Sequence, residues 1–273
     1  MSAHNPAVPR AGGSTTATLW PALRRGLLVL SWLASPLALL LAWALLADSG
    51  RFSVQLLVPP QHVLEAFAEL LASGELQQHL HDSLGRLFGG FAIGAASGLA
   101  FGTLLALSSA ARAYCGPLFH ALRQIPSIAL IPMFILFFGV EETFKIVIVA
   151  KAVFFPVALA VSEGIKAIPR SYLEVADVYR LPLPTLIGEV AFPAAAPPIV
   201  TGLRIALSRA WMVLVAAELL AADSGIGQMI EMSRQMLRID VVMVGVLVTG
   251  VVGFVLDYGL RLLEKRLFRW KNA

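Results

Sequence analysis

"GFAIGAASGLAFG", residues 90–102, sets Gly90, Gly94, Gly98 and Gly102 four residues apart in an otherwise apolar run. At 3.6 residues per turn these glycines share one helix face. In water each would cost a helix ~1 kcal/mol relative to alanine. In lipid, a ridge without side chains lets a second backbone approach closely, and that packing holds membrane helices together. The stretch therefore reads as a membrane helix packed on a neighbour inside a bundle, with a contact between two copies as the alternative.

Composition supports this. The 273-residue chain is 58% apolar and only 14% charged, with a mean hydropathy of +0.79. A soluble domain carries roughly 25% charged and 45–50% apolar residues. A bilayer-spanning helix needs about 20 mostly apolar residues. Segments 27–47, 83–107, 117–138, 145–164, 199–221 and 241–263 meet that requirement. No period-two alternation is present, which argues against a membrane barrel. The fold class is all-α integral membrane, with six spans in a domain at 27–268.

The pI near 9.5 raises the question of nucleic acid, and the placement of the charges answers it. With the N-terminus in the cytoplasm, the inner side holds Arg10, Arg24, Arg25, Arg112, Lys166, Arg170, Arg180, Arg261, Lys265, Arg266, Arg269 and Lys271. The outer side holds Arg51, Lys145, Arg234 and Arg238. This positive-inside bias puts both termini in the cytoplasm and leaves no basic patch for nucleic acid. Residues 1–26 read as a disordered tail, and 269–273 as a short basic one. The run after Arg25 is too long for a signal h-region and reads as an uncleaved first span. The lone Cys115 has no disulfide partner and no metal-ligand spacing around it.

The outer segment 48–82 predicts an amphipathic helix after Pro59 and Pro60, ended by Gly74, with Val63, Leu64, Phe67, Leu70 and Leu71 at helical spacing. Pro126 and Pro132 should kink or break the third span. Lys151, about two turns into the fourth, either snorkels or faces the bundle interior. Asp240 is a candidate N-cap for the sixth.

Between spans four and five, about 165–198, the chain turns polar. "EVADVYRLPLPTLIGEVAFP", residues 174–193, carries Glu174, Asp177 and Glu189 and three prolines. Ser171 and Glu174 have capping-box spacing. Tyr172, Val175, Ala176 and Tyr179 share a face of a short helix that Pro182 and Pro184 stop, and "TLIGEVAF" forms a second short helix up to Pro193. Ordering such a pair costs entropy unless it touches something, which points to a soluble partner below the membrane.

Here the sequence resembles the membrane subunits of bacterial ATP-binding-cassette importers. Their cytoplasmic motif reads Glu-Ala-Ala, three residues, Gly, nine residues, Ile-x-Leu-Pro. This chain has Glu174-Val175-Ala176, then Arg180, then Val190-Ala191-Phe192-Pro193 in full register. Arg180 stands at the Gly position, so it either adopts that backbone or shifts the turn. "LRQIPSIALIPMFILFFGVEETFKI", "PPIVTGLRIALSRAW" and "AAELLAADSGIGQMI" look like the subgroup importing aliphatic sulfonates, taurine and nitrate. The resemblance implies a coupling helix at 174–184, with Glu174, Val175, Ala176, Asp177, Tyr179, Arg180 and Leu181 meeting a cytosolic ATPase. It also implies an extracytoplasmic binding protein, and ATP and Mg held by the ATPase with no cofactor on this chain. The location would be the bacterial inner membrane. A second copy completes the path, giving a homodimer by default. No G-x-x-x-x-G-K-[ST] loop occurs in the chain. For Glu174 the plain alternative is capping alone; for Arg180 it is a solvated charge.

Candidates for the path lie in span five. Thr201, Arg204, Ser208, Trp211, Val215 and Glu218 follow one helical stripe, and Arg209 lies about 140° off it. Arginine at a span centre costs roughly 2.5–3.5 kcal/mol and marks either an ion pair or a wet path. Both readings stand for Arg204 and Arg209; Glu218, at the outer end, reads as an interface marker. Two other functions compete. A self-contained secondary transporter needs its own coupling-ion site, often on inverted repeats, and none is apparent. An intramembrane enzyme could use Ser97 of "GAASG", but none of His4, His62, His79, His81 and His120 sits deep in another span to serve as its base.

Overall fold

The computed structural model describes residues 19–51, 53 and 57–268, and every regular element among them is helical. In chain order these are α1 (Leu19–Asp48), α2 (Pro60–Ser73), α3 (Glu75–Leu107), α4 (Ser109–Leu122), a 3₁₀ turn (Ile128–Leu130) and α5 (Ile131–Phe138). There follow α6 (Glu142–Lys166), α7 (Arg170–Val178), α8 (Leu183–Thr185), a π-helical stretch (Leu186–Ala191), α9 (Phe192–Ala221), α10 (Ile226–Gln235) and α11 (Ile239–Leu267). Among the described residues, four stretches are long and apolar enough to cross a membrane: α3, α6, Leu186–Ala221 and α11. The chain up to Pro60 forms its own unit, in which α1 contains Pro36 and the Trp43 indole donates to the Val58 carbonyl at 3.1 Å.

In the larger unit α3 lies directly against α6. A Cβ on Gly90 would stand 2.6 Å from Val149 Cγ1, one on Gly98 2.9 Å from the Phe154 carbonyl oxygen, and one on Gly102 2.5 Å from that of Ala158. At Gly94 it would strike the Ala150 carbonyl. The contacts advance by four residues on both helices at once, so the two run parallel. Val149, Val153, Val157 and Val161 fill the four notches and are fully buried. Branched at Cβ, they are already held to one χ1 rotamer in the helix, so packing costs them little further freedom.

A neighbouring face of α6 meets α9, antiparallel. Pro198 packs on Gly164, and Ala160 on Gly202. Beyond α9 lies α11, also antiparallel, where the Trp211 indole donates to the Thr249 carbonyl at 3.0 Å and packs on Gly253. The far face of α11, with Val246, Leu247, Val251, Phe254 and Val255, stays uncovered.

Several local expectations change in the structure. Segment 117–138 is not one helix: the chain leaves α4 at Arg123, passes Pro126 and the 3₁₀ turn, and restarts as α5 with Pro132 in its first turn. "TLIGEVAF" is not a separate short helix. From Leu183 the helical path continues through the π turns and past Pro193 into α9. The Phe192 N–H reaches back to the Ile187 carbonyl, a wider turn that leaves room for the proline ring. Helix α7 begins at Arg170, which puts Ser171 inside it and not at its cap. Similarly, α11 begins at Ile239, and Asp240 lies in its first turn. Helix α2 ends as expected before Gly74, whose φ of 82° suits glycine. Residues 1–18 and 269–273 lie outside the described residues.

The ridge makes a prediction with an internal control. Gly94→Ala or Gly102→Ala must push two backbones apart, and overpacking of this kind costs about 1–3 kcal/mol. Gly89, one position off the ridge, has nothing within 4 Å of its Cβ direction. Gly89→Ala should therefore leave the melting temperature of the detergent-solubilised protein unchanged or raised, while the two ridge variants lower it.

Candidate functional site

Three regions of the larger unit bring polar groups together. The first joins the start of α3, the start of α6 and the connection from α9 to α10. Arg86 spends all five of its N–H donors there. Its Nε and Nη2 pair with Glu142 at 2.6 and 2.7 Å. Its Nη1 reaches Glu218 at 2.9 Å and the Ser224 carbonyl at 2.7 Å, and Nη2 also reaches Ser224 Oγ at 2.6 Å. Glu218 further accepts from Ser83 Oγ and, at 3.0 Å, from the Gly227 N–H. Ser83 Oγ in turn accepts the Ile226 N–H, and His79 Nδ1 accepts that of Gly225. Lys145 adds a bond to Glu142 at 3.0 Å. Two cations face two carboxylates, so the cluster is neutral. Gly225, at φ 109°, has no space for a side chain, because a Cβ would sit 2.7 Å from Arg86 Nη1.

This corrects one expectation. Glu218 is only 1% exposed and is no interface marker. Lys145, counted among the outer-side charges, is likewise 1% exposed. Position along a span indicates depth; it does not reveal that α3 and the 222–227 connection fold over the carboxylate. Sequence reasoning misses Arg86, Ser83 and Glu142 altogether. The available signal is Arg86 itself, an ionisable group inside the second apolar segment.

The second region is a hollow of about 470 Å³ between the break after α4, the middle of α6 and the middle of α9. Arg123, Lys151 and Arg209 line it, with Ser127, Gln124, Phe155, Pro156, Met212 and others, and no Asp or Glu is among its lining residues. Lys151 faces inward. Its Nζ donates to the Ile125 carbonyl at 2.8 Å and to Ser127 Oγ at 3.2 Å, and lies over the Phe155 ring. Phe155 is held by Phe119 and Phe154, with ring centroids 5.4 and 5.0 Å away. The Arg123 Nε is buried and has no acceptor. Arg209 also borders a neighbouring hollow that contains Glu163, without an ion pair to it.

The rest of the predicted stripe on α9 faces elsewhere. Arg204 pairs with Glu264 at 3.1 Å and lies 3.7 Å from Asp257, and Thr201 donates to Glu264 at 2.7 Å, tying α9 to α11. Trp211 is 3% exposed in the core, and Ser208 Oγ bonds back to the Arg204 carbonyl. The stripe is buried from Trp211 to Glu218 and half-buried at Thr201, Arg204 and Ser208, and Arg209, off the stripe, reaches the hollow. Ser97 Oγ bonds to the Ile93 carbonyl of its own helix.

The third region is α7. Tyr172, Val175, Val178 and Tyr179 are all more than half exposed, whereas Ala176, expected to meet a partner, is 4% exposed. Glu174 and Leu181 flank this face, Leu181 being half-buried. The Asp177 side chain lies outside the described residues. Arg180 adopts φ 48°, and the Leu181 N–H bonds the Ala176 carbonyl at 3.0 Å. That 6→1 bond closes a left-handed helix terminus of the Schellman kind. Arg180 therefore keeps the backbone a glycine would use, at roughly 1–2 kcal/mol, and the turn does not shift.

Binding-protein-dependent transport system inner membrane component is the family that matches, over residues 98–269. SsuC of Bacillus subtilis (strain 168), named for aliphatic sulfonate transport, is 37% identical over 238 residues, covering 87% of this chain and 86% of its own. The taurine transport system permease protein TauC of Escherichia coli (strain K12) is 34% identical over 256 residues, 92% of each chain. Among solved structures, a chain of the inward-facing MetNI methionine ABC transporter superposes with a TM-score of 0.56 at 19% identity. It covers 68% of this chain and 94% of its own, and shows the fold.

The buried cluster should fail asymmetrically. Arg86→Gln leaves Glu218 buried without its counter-charge and should destabilise the protein by about 3–5 kcal/mol. Replacing both, as Arg86→Met with Glu218→Met, removes the stranded charge and should recover much of that loss. Thermal unfolding of the three proteins in one detergent checks the order.

Proposed function

The chain belongs to the binding-protein-dependent transport system inner membrane components, and on that premise we propose that two copies form the transmembrane path of an ATP-binding-cassette importer for a small anion. The substrate is of the aliphatic sulfonate, taurine or nitrate type, delivered by an extracytoplasmic binding protein. The names of the relatives, for aliphatic sulfonates and for taurine, support that class. ATP and Mg belong to the ATPase subunits, and this chain catalyses no reaction of its own.

Six crossings fit the helices. The four long spans are joined by α1, 30 residues in length, and by a third crossing assembled from α4 and α5. An even number of crossings puts both termini on one side, and the excess of Lys and Arg makes that side the cytoplasm. The α7 segment then lies on the cytoplasmic side, between the fourth and fifth crossings.

The observation that carries the coupling role is the uncovered face of α7. Tyr172, Val175, Val178 and Tyr179 project from a nine-residue helix fixed at its end by the Arg180 turn. Aromatic and aliphatic side chains grouped on a rigid element are what a partner's pocket takes up. Ala176 is the small residue at the edge of this face, and it is buried, 4% exposed. An ATPase cleft that closes on ATP would grip this face and move α9 through the unbroken helical path from Leu183.

Val175→Asp and Tyr179→Asp alter exposed positions, so folding and membrane insertion should survive. Each should lower co-purification of the ATPase and cut ATP-dependent uptake in reconstituted vesicles at least tenfold, the loss of a contact worth about 2 kcal/mol. Arg180→Gly should leave coupling intact, because it keeps the left-handed turn. Full ATPase binding and uptake by both Asp variants would remove α7 from the docking surface.

A further inference from the structure

The arginines inside the long helices fall into two kinds. Arg86 and Arg204 are matched to carboxylates from neighbouring helices. Arg209, in the middle of α9, makes no ion pair among the described residues, and it borders the hollow that also holds Arg123 and Lys151. The three cations come from three separate elements, and no lining carboxylate neutralises them. Arg123 Nε is buried without an acceptor, a state that costs free energy until an oxygen arrives. Lys151 uses two of its three ammonium hydrogens on Ile125 and Ser127, which leaves one free.

We infer that this hollow is an anion-binding station, in which Arg123, Lys151 and Arg209 hold the charged head of a small organic monoanion such as an alkyl sulfonate. The volume of about 470 Å³ falls within the roughly 300–1,000 Å³ of small-molecule sites. Phe155, Pro156 and Met212 offer an apolar wall for a short tail beside the charged head. An anion leaving water for a low-dielectric channel loses hydration, and fixed cations placed ahead of it offset part of that loss. Lys151 also fixes the site's shape, since its bonds to Ile125 and Ser127 tie the break between α4 and α5 to α6. The inference rests on the permease reading and adds to it the residues that meet the substrate.

Direct binding separates the two. Isothermal titration of ethanesulfonate into the solubilised permease–ATPase complex, without binding protein, should show saturable binding, and ethylammonium should show none. Arg209→Gln should weaken ethanesulfonate binding at least tenfold. Met212→Asp, at a position 69% exposed, sets a carboxylate in the hollow and should weaken it at least as much. Arg234→Gln, at an exposed arginine paired with Glu231 outside the hollow, should bind like the wild type. An assembled complex that binds no ethanesulfonate, or binds it equally in all four proteins, overturns the station while leaving the permease reading in place. Loss of assembly in Arg209→Gln overturns it too, because Arg209 would then be a subunit contact. Failure of the wild-type chain to assemble with the ATPase counts against the permease reading instead.

Discussion

The structure depends on how closely α3 and α6 approach. Four glycines on α3 and four valines on α6 interlock over thirteen residues, with backbone carbonyls where side chains would otherwise stand. In a membrane there is little hydrophobic gain in joining two apolar helices, so contact area and fit must hold them. With α3 seated on one face of α6, a neighbouring face meets α9. Lys151, on the side of α6 away from α3, points towards the break after α4.

The same geometry separates two uses of charge within one bundle. At the start of α3, every donor of Arg86 and both oxygens of Glu218 are satisfied, and the 222–227 connection is held by its own backbone N–H groups. Such a closed set resists movement, because any displacement strands a charge away from water. In the middle of the bundle, the proline-broken stretch between α4 and α5 brings Arg123 beside Lys151 and Arg209 with no carboxylate among them. Charges at the start of α3 are fully paired, whereas those in the middle of the bundle have no carboxylate beside them in the hollow.

Much of this is legible in the sequence. The fourfold glycine spacing marks a packing face, because periodicity converts directly into a direction on a helix. The break at Pro126 follows from a missing donor, and the motif register at 174–193 locates the short exposed helix α7 and its turn at Arg180. Other features are not legible. The valines at 149, 153, 157 and 161 are as periodic as the glycines, but apolar residues in an apolar span carry no contrast. The α9 stripe is real, yet its members meet different neighbours: Thr201 and Arg204 bond α11, whereas Glu218 bonds Ser83 and Arg86 of α3. A stripe shows that one side of a helix differs from the other; it does not say which neighbour that side meets.

The sequence by itself determined that this chain is a bundle of membrane helices, which family it resembles, and where its polar segment interrupts the spans. Each of these is local, set by the composition of a window or by spacing along the chain. Only the tertiary structure decided that Glu218 lies under Arg86, that Ala176 turns inward while Val178 turns outward, and that Arg209 joins Arg123 and Lys151. Those pairings join residues between about 28 and 132 positions apart, since a side chain's partner is set by which helices pack together. Arg180 stands between the two cases: the sequence posed the choice between a strained turn and a shifted one, and the 6→1 bond from Leu181 decided for the strained turn.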